Sequence, residues 1–171
     1  EELNNKNVKY AIMLNSSDFV SVNNETEILK KNFLKKNKSL ISIVRIACQY
    51  DHIVKIYDSI NFIKKQGYKV AINLMQIHKI SPTNLKNILR LLNKMNIDFF
   101  YFADSFGSVR PNQIKNICKS IKNVSKKNFG IHAHDNCGYA LSNTLEAFKN
   151  GATMLDCTIL GMGRGAGNTK T

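Results

Sequence analysis

Residues 130–138 read Gly-Ile-His-Ala-His-Asp-Asn-Cys-Gly, an apolar run that carries two histidines and then turns polar. Alternate side chains of a β-strand point to the same face, so His132 and His134 share one side of a predicted strand. An arbitrary His-x-His pair is more often one core and one solvent-facing histidine. This pair ends its strand and runs into Asp135 and Asn136, at the end where parallel α/β folds gather catalytic groups. The pattern therefore favours two imidazoles that converge on a divalent metal.

The whole chain alternates short apolar runs with longer amphipathic stretches. This alternation is typical of βα units around a parallel sheet, which makes the predicted fold class α/β. The predicted strands are 8–14, 40–48, 69–75, 98–103, 128–134 and 153–160. The predicted helices are 25–36, 52–66, 82–95, 111–126 and 138–150, with Ser81-Pro82 and Arg110-Pro111 at helix starts and Gly67 and Gly151 at helix ends. Six strands are consistent with an open doubly wound sheet or with part of a closed barrel, and periodicity does not distinguish them.

Composition predicts a single soluble domain. The chain has 171 residues, 43% hydrophobic and 22% charged, which is enough for one core. No run approaches the roughly eighteen apolar residues of a membrane helix, and the first residues carry no apolar signal segment, so we expect a cytoplasmic protein without membrane contact. The four cysteines form no Cys-x-x-Cys pair, which argues against a zinc ribbon or a disulfide framework.

The net charge of +13 raises the alternative of a nucleic-acid-binding domain. Lysine supplies nearly all of it, since the arginines are Arg45, Arg90, Arg110 and Arg164. The lysines are interspersed with asparagine along helix-like stretches, as on solvated surfaces. Arginine is the side chain that grips phosphate or guanine with a bidentate fork, so we rank nucleic-acid binding low.

Two further stretches follow predicted strands. Residues 103–107 read Ala-Asp-Ser-Phe-Gly, which alone is most simply a capped turn. The last strand contains Asp156 and leads into Gly-Met-Gly-Arg-Gly-Ala-Gly-Asn at 161–168, where the glycines permit close backbone approach to a ligand and Asn168 carries an amide oxygen suited to a metal. A flexible surface loop is the plain alternative. A dinucleotide fingerprint is disfavoured, because these glycines follow the last strand instead of opening the first βαβ unit.

Together the three stretches resemble one superfamily, which contains 4-hydroxy-2-oxovalerate aldolase, 3-hydroxy-3-methylglutaryl-CoA lyase, and isopropylmalate and homocitrate synthases. Residues 132–140, with Asn143, are similar to its H-x-H-[DN]-x-x-G-x-A segment. Residues 104–107 match its D-[ST]-x-G motif, and residues 161–168 match its G-[LM]-G-x-x-x-G-N loop. The resemblance covers the whole chain and is strongest from Asp98 onward.

The resemblance implies a (β/α)8 TIM barrel in which the six predicted strands are strands three to eight and the first two are missing. The family carries an Arg-Asp pair on its first strand, and no Arg-Asp dipeptide occurs here. We therefore expect residues 1–171 to be one catalytic barrel domain that lacks the N-terminal βα units and the final helix. By itself such a fragment is expected to be inactive and poorly stable, with preceding residues or a second chain covering its open edges.

The resemblance also implies a chemistry. His132, His134 and Asn168 are the implied ligands of a divalent metal, Mn²⁺, Mg²⁺, Co²⁺ or Zn²⁺, and the sequence does not choose among them. Ser105 and Asp104 are implied to bind substrate. The implied surroundings of the site are Asn136, Gly163, Gly165 and Gly167. The general base is not assigned.

The implied reaction is cleavage of a 4-hydroxy-2-oxo acid to pyruvate and an aldehyde. The acyl-CoA lyase branch has a cysteine in its glycine-rich loop and residues 161–167 contain none, which disfavours thioester cleavage. Arg164 is similar to a feature of the synthases that condense acetyl-CoA with a 2-oxo acid, so that reaction is the alternative. A non-catalytic barrel remnant is a further one. A homodimer and an aldehyde dehydrogenase partner are expectations from the family resemblance.

Overall fold

The computed structural model describes residues 8–20 and 25–171 of the chain. Within them, six parallel strands form one sheet whose spatial order is the order of the sequence. The strands are β1 (Tyr10–Asn15), β2 (Ile41–Cys48), β3 (Lys69–Leu74), β4 (Phe99–Asp104), β5 (Asn128–Ala133) and β6 (Met154–Leu155). A doubly wound sheet reverses its strand order at a switch point, and this sheet does not. The sheet is therefore part of a (β/α)8 barrel, as the motif resemblance implies.

Helices connect the successive strands. They are α1 (Ser17–Val20), α2 (Glu25–Asn32), α3 (Tyr57–Lys65), α4 (Pro82–Lys94), α5 (Pro111–Val124) and α6 (Ala140–Lys149). Right-handed crossovers between parallel strands place connecting helices on the same side of a sheet. The core lies on that side, where Ile46, Ile72 and Phe100 of the strands are fully buried in one cluster with Ile60 of α3 and Leu89 of α4. The opposite, concave face presents the polar side chains described below.

Proline and glycine set several helix boundaries, as the sequence predicts. Pro82 and Pro111 occupy the first turns of α4 and α5, where a missing N–H breaks no helical hydrogen bond. Ser81 caps α4 by accepting a backbone N–H at 3.2 Å. Gly67 and Gly151 follow α3 and α6 with φ of 95° and 99°, a conformation that ends helices and that glycine adopts without strain. Among the described residues, none of the helices has the length and apolar character needed to cross a membrane.

The prediction of a last strand over 153–160 is wrong in its extent, because β6 contains only Met154–Leu155. Beyond Asp156 the chain pairs with the end of the glycine-rich loop, where Thr158 donates its N–H to the carbonyl of Thr169 at 2.9 Å. The predicted helix 52–66 likewise begins later, at Tyr57, since a 3-10 turn over residues 50–52 comes first. The expectation that the first residues hold no signal segment concerns residues 1–7, which lie outside the described residues.

Candidate active site

The two histidines of the His-x-His segment lie beside each other at the carboxyl end of β5. Their ring centroids are 5.1 Å apart and their planes are nearly perpendicular, at 81°. Burial lowers the pKa of His134, and the neighbouring His132 lowers it further. His134 is therefore held in the neutral form, which is the form that binds a metal ion.

The glycine-rich loop folds back along this segment. His134 and Asn168 form an antiparallel bridge, and the N–H of Asp135 donates to the carbonyl of Gly167 at 3.0 Å. The loop passes close enough that a Cβ on Gly163 would overlap the side-chain amide of Asn168. Asn168 Nδ2 donates to a backbone carbonyl at 3.3 Å, whereas its Oδ1 is buried and accepts no hydrogen bond from any residue that the structure describes. A buried acceptor without a donor suits a cation, so Asn168 and the two imidazoles fit a divalent metal.

In the part of the chain that the structure describes, no carboxylate completes this ligand set. Among residues 8–20 and 25–171, no group of three or more His, Cys, Asp or Glu side chains is arranged to hold a metal ion. The nearest carboxylate to His132, that of Asp156, already bonds Arg45 through both oxygens. The described residues therefore supply two imidazole nitrogens and one neutral amide oxygen.

The Asp-Ser-Phe-Gly turn supports the site from the neighbouring strand. Asp104 is fully buried at the end of β4, and its oxygens accept the N–H groups of Ser108 at 3.2 Å and Val109 at 3.0 Å. Ser105 Oγ accepts the N–H of Gln76 at 2.9 Å. These contacts favour a turn-holding role for Asp104. Substrate binding by Asp104 and Ser105 stays a prediction.

The turn packs directly on the His-x-His segment at Gly107. A Cβ there would lie 2.6 Å from Asn136 N and 2.8 Å from His134 O. Cys137 donates its N–H to the carbonyl of Gly107 at 3.0 Å. Asn136 also lies close to the glycine-rich loop, because a Cβ added to Gly165 would be 3.8 Å from the Nδ2 atom of Asn136. The three sequence motifs therefore meet at one end of the sheet.

An ion pair that sequence reasoning missed crosses the concave face. Arg45 on β2 donates from Nη1 to Oδ1 of Asp156 at 3.0 Å and from Nη2 to Oδ2 at 2.6 Å. His132 Nδ1 lies 2.9 Å from the same Oδ2. Burial raises the pKa of Asp156, but hydrogen bonds from His132 and Arg45 outweigh it, so the pKa lies below its usual value. Asp156 is thus an ionised carboxylate that links the ion pair to the histidines.

Tyr101 on β4 packs against the guanidinium of the Arg45–Asp156 ion pair. The guanidinium carbon of Arg45 lies 4.0 Å from the centroid of its ring, a cation–π contact. The ring lies against β5 at Gly130, where a Cβ would come within 2.6 Å of Tyr101 Cε1. Burial raises the pKa of Tyr101, and the charge of Asp156 adds to the shift. Tyr101 is therefore a neutral platform under the guanidinium.

The interior positions of Arg45 and Asn73 could have been predicted from the sequence. Arg45 stands between Val44 and Ile46, and Asn73 interrupts an apolar strand. Asn73 is 4% exposed and its Oδ1 is buried without a hydrogen-bond partner in the described part of the chain. A polar side chain inside a run that is otherwise apolar on both faces indicates a role on the interior face.

The fold and the site together define a class: α/β-barrel proteins that build a polar site from the segments following their strands. The chain belongs to the HMGL-like family, whose model matches residues 20–171.

Individual relatives agree with this assignment. A 4-hydroxy-2-oxovalerate aldolase of Geobacillus genomosp. 3 is 32% identical over 142 residues, which are 83% of this chain and 42% of the relative. The N-terminal domain of a protein described as an aldolase, from Bacteroides vulgatus, superposes with a TM-score of 0.77 at 31% identity, covering 96% of this chain and 53% of that one. HMG-CoA lyase of Bacillus subtilis has the same fold, with a TM-score of 0.77 at 16% identity over 97% of this chain and 60% of that one. The chain thus spans about two-fifths of the length of the curated relative.

Proposed function

We propose that this chain belongs to a divalent-metal-dependent carbon–carbon lyase that cleaves a 4-hydroxy-2-oxo acid to pyruvate and an aldehyde. The observation that carries the proposal is the buried Oδ1 of Asn168, which has no hydrogen-bond partner among the described residues. Asn168 is bridged to His134, and the ring of His134 lies beside that of His132. The name of the Geobacillus relative, 4-hydroxy-2-oxovalerate aldolase, supports the substrate class.

The contacts of the residues indicate which role each one has in this reaction. A divalent cation held by His132, His134 and Asn168 would supply positive charge beside the substrate carbonyl and stabilise the anion formed when the carbon–carbon bond breaks. Ser105 uses its oxygen to accept the N–H of Gln76, which leaves its hydroxyl proton to donate to a substrate oxygen. The ligand set of imidazoles and an amide oxygen is compatible with Mn²⁺, Mg²⁺, Co²⁺ or Zn²⁺.

A second candidate is a synthase that condenses acetyl-CoA with a 2-oxo acid. It is favoured by one feature, the cationic Arg164, which is exposed on the glycine-rich loop. The absence of cysteine from residues 161–167 argues against thioester cleavage and does not separate aldolase from synthase. The two reactions differ in whether coenzyme A takes part, and that difference is measurable.

The test uses the full-length protein and two assays in parallel. Pyruvate release from a 4-hydroxy-2-oxo acid without coenzyme A is the expected activity, and consumption of acetyl-CoA with a 2-oxo acid as the only activity would transfer the assignment to the synthase. Metal analysis should find one divalent ion per chain in the wild type, and none in His132→Ala or His134→Ala. His52→Ala is the matched control, because His52 bonds Ser16 through Nδ1, at 3.0 Å, and is not part of the proposed site. Unchanged metal content in a His132→Ala, His134→Ala double variant would refute the proposal.

A further inference from the structure

The carboxylate of Asp156 is shared between a cation and an imidazole. Its Oδ2 accepts from Arg45 Nη2 at 2.6 Å and lies 2.9 Å from His132 Nδ1. A guanidinium has only donors, and a carboxylate that it grips through both oxygens is ionised and has only acceptors. The contact with His132 therefore requires the proton on Nδ1, which donates to Oδ2.

This requirement decides which nitrogen of His132 remains available. A neutral imidazole carries one proton, and the partner of one nitrogen determines whether the other can act as a ligand. With Nδ1 protonated and bonded to Asp156, the lone pair is on Nε2. Nε2 is then the atom of His132 that can bind a cation alongside His134.

The anchoring of Asp156 explains why a partly buried arginine lies here. Asp156 follows a strand of only two residues, Met154–Leu155, so the local backbone ladder gives it little support. Arg45 extends from the eight-residue strand β2 and rests on the ring of Tyr101. The fork of Arg45 bonds both oxygens of Asp156, which sets the rotation of the carboxyl group as well as its position.

We propose that Asp156 is a positioning residue for His132, and that Arg45 holds Asp156 in the orientation this role needs. The inference rests on the proposed metal site. It adds that the affinity of that site depends on a carboxylate and a guanidinium that do not touch the metal. Partners of metal-bound histidines in other proteins typically contribute about 10- to 100-fold in affinity.

The test measures the tautomer of His132 and the affinity for Mn²⁺ added alone, in full-length protein. Long-range ¹H–¹⁵N spectra of the metal-free wild type should show His132 protonated on Nδ1, with the signal assigned by its loss in His132→Gln. In Asp156→Ala this preference should disappear, and calorimetric titration should show Mn²⁺ affinity reduced about 10- to 100-fold. Arg45→Lys keeps the charge but loses the two-point fork, so an intermediate loss of affinity is expected.

Asp156→Ala leaves the guanidinium without its partner and can fail to fold for that reason. The variant Arg45→Met, Asp156→Ala removes both charges, and it should fold while still losing the Nδ1 tautomer. A wild-type tautomer and wild-type Mn²⁺ affinity in this double variant would overturn the positioning role. If His132→Gln binds Mn²⁺ as tightly as the wild type does, both the proposed metal site and the positioning role of Asp156 are refuted. Loss of Mn²⁺ binding in His132→Gln together with unchanged binding in the double variant would remove only the role of Asp156.

Discussion

Arg45 and Asp156 are joined by two hydrogen bonds of 3.0 and 2.6 Å, although 111 residues separate them in the sequence. Three strands lie between β2, which carries Arg45, and β6, which precedes Asp156. In a flat sheet these strands would be about 19 Å apart, farther than the two side chains reach across. The pair therefore requires a strongly curved sheet, and it ties the two sides of the concave face together.

The first prediction concerns the stability of this pair. The side chains of Arg45 and Asp156 are 16% and 19% exposed. Removing Asp156 leaves the Arg45 guanidinium without its carboxylate, and removing Arg45 leaves the Asp156 carboxylate with His132 but without its cation. Arg45→Met should lower the free energy of unfolding by about 3 kcal/mol, and Asp156→Leu by a similar amount. The double variant should lose clearly less than the sum of the two. Urea unfolding of the four proteins in the cycle measures the coupling, and additive losses would show that the ion pair contributes nothing of its own.

The second prediction concerns the packing of the turn at Gly107. Gly107 and Gly138 both have positive φ, 57° and 71°, so alanine at either position incurs backbone strain of about 1 kcal/mol. Only at Gly107 does the new Cβ also collide with backbone, 2.6 Å from Asn136 N, whereas nothing lies within 4 Å of it at Gly138. Gly107→Ala should therefore be destabilised by about 1 to 3 kcal/mol more than its matched control Gly138→Ala. Equal unfolding midpoints would mean that the turn does not pack on the His-x-His segment.

The third prediction concerns thiol reactivity. Burial raises the pKa of Cys48 and of Cys118 to about 12, so at pH 9 almost none of either thiol is the reactive thiolate. Cys137 and Cys157 are exposed. Brief iodoacetamide treatment of native protein at pH 9 should label these two well ahead of Cys48 and Cys118, as peptide mass spectrometry will show. All four should react after unfolding in urea, and early native labelling of Cys48 would contradict the burial of this side chain at the end of β2.

The fourth prediction rests on the proposed metal site. It distinguishes the role of the amide oxygen of Asn168 from that of its amide nitrogen. Asn168→Leu removes the buried oxygen and should weaken Mn²⁺ binding at least about tenfold. Asn168→Asp keeps an oxygen at that position and adds a negative charge, so its affinity should match or exceed that of the wild type. Calorimetric titration with Mn²⁺ compares the three proteins. Equal weakening in both variants would assign Asn168 to holding the loop through its Nδ2 bond to Met162.

The sequence was sufficient for those features that depend on near neighbours. Alternation along β5 places His132 and His134 on one face, and the structure has their rings 5.1 Å apart. It was insufficient at β6, because Thr158 pairs with Thr169 across the glycine-rich loop, and no local pattern distinguishes that pairing from a longer strand. The apolar neighbours of Arg45 indicate its interior position, but nothing in the sequence pairs it with Asp156, because the two residues approach each other only when the sheet curves.

The sequence by itself determined the βα alternation, the prolines and glycines that bound the helices, and the three motifs that end successive strands. The alternation and the helix boundaries follow from backbone preferences and side-chain periodicity over a few residues, and the motifs from their resemblance to a family pattern. Only the tertiary structure decided that Asn168 lies beside His134, that Gly130 makes room for Tyr101, and that the carboxylate next to His132 is held by Arg45. These relationships join distant parts of the chain, and they depend on how far the sheet curves and where the loops cross it, which is decided by the packing of all the strands and helices together.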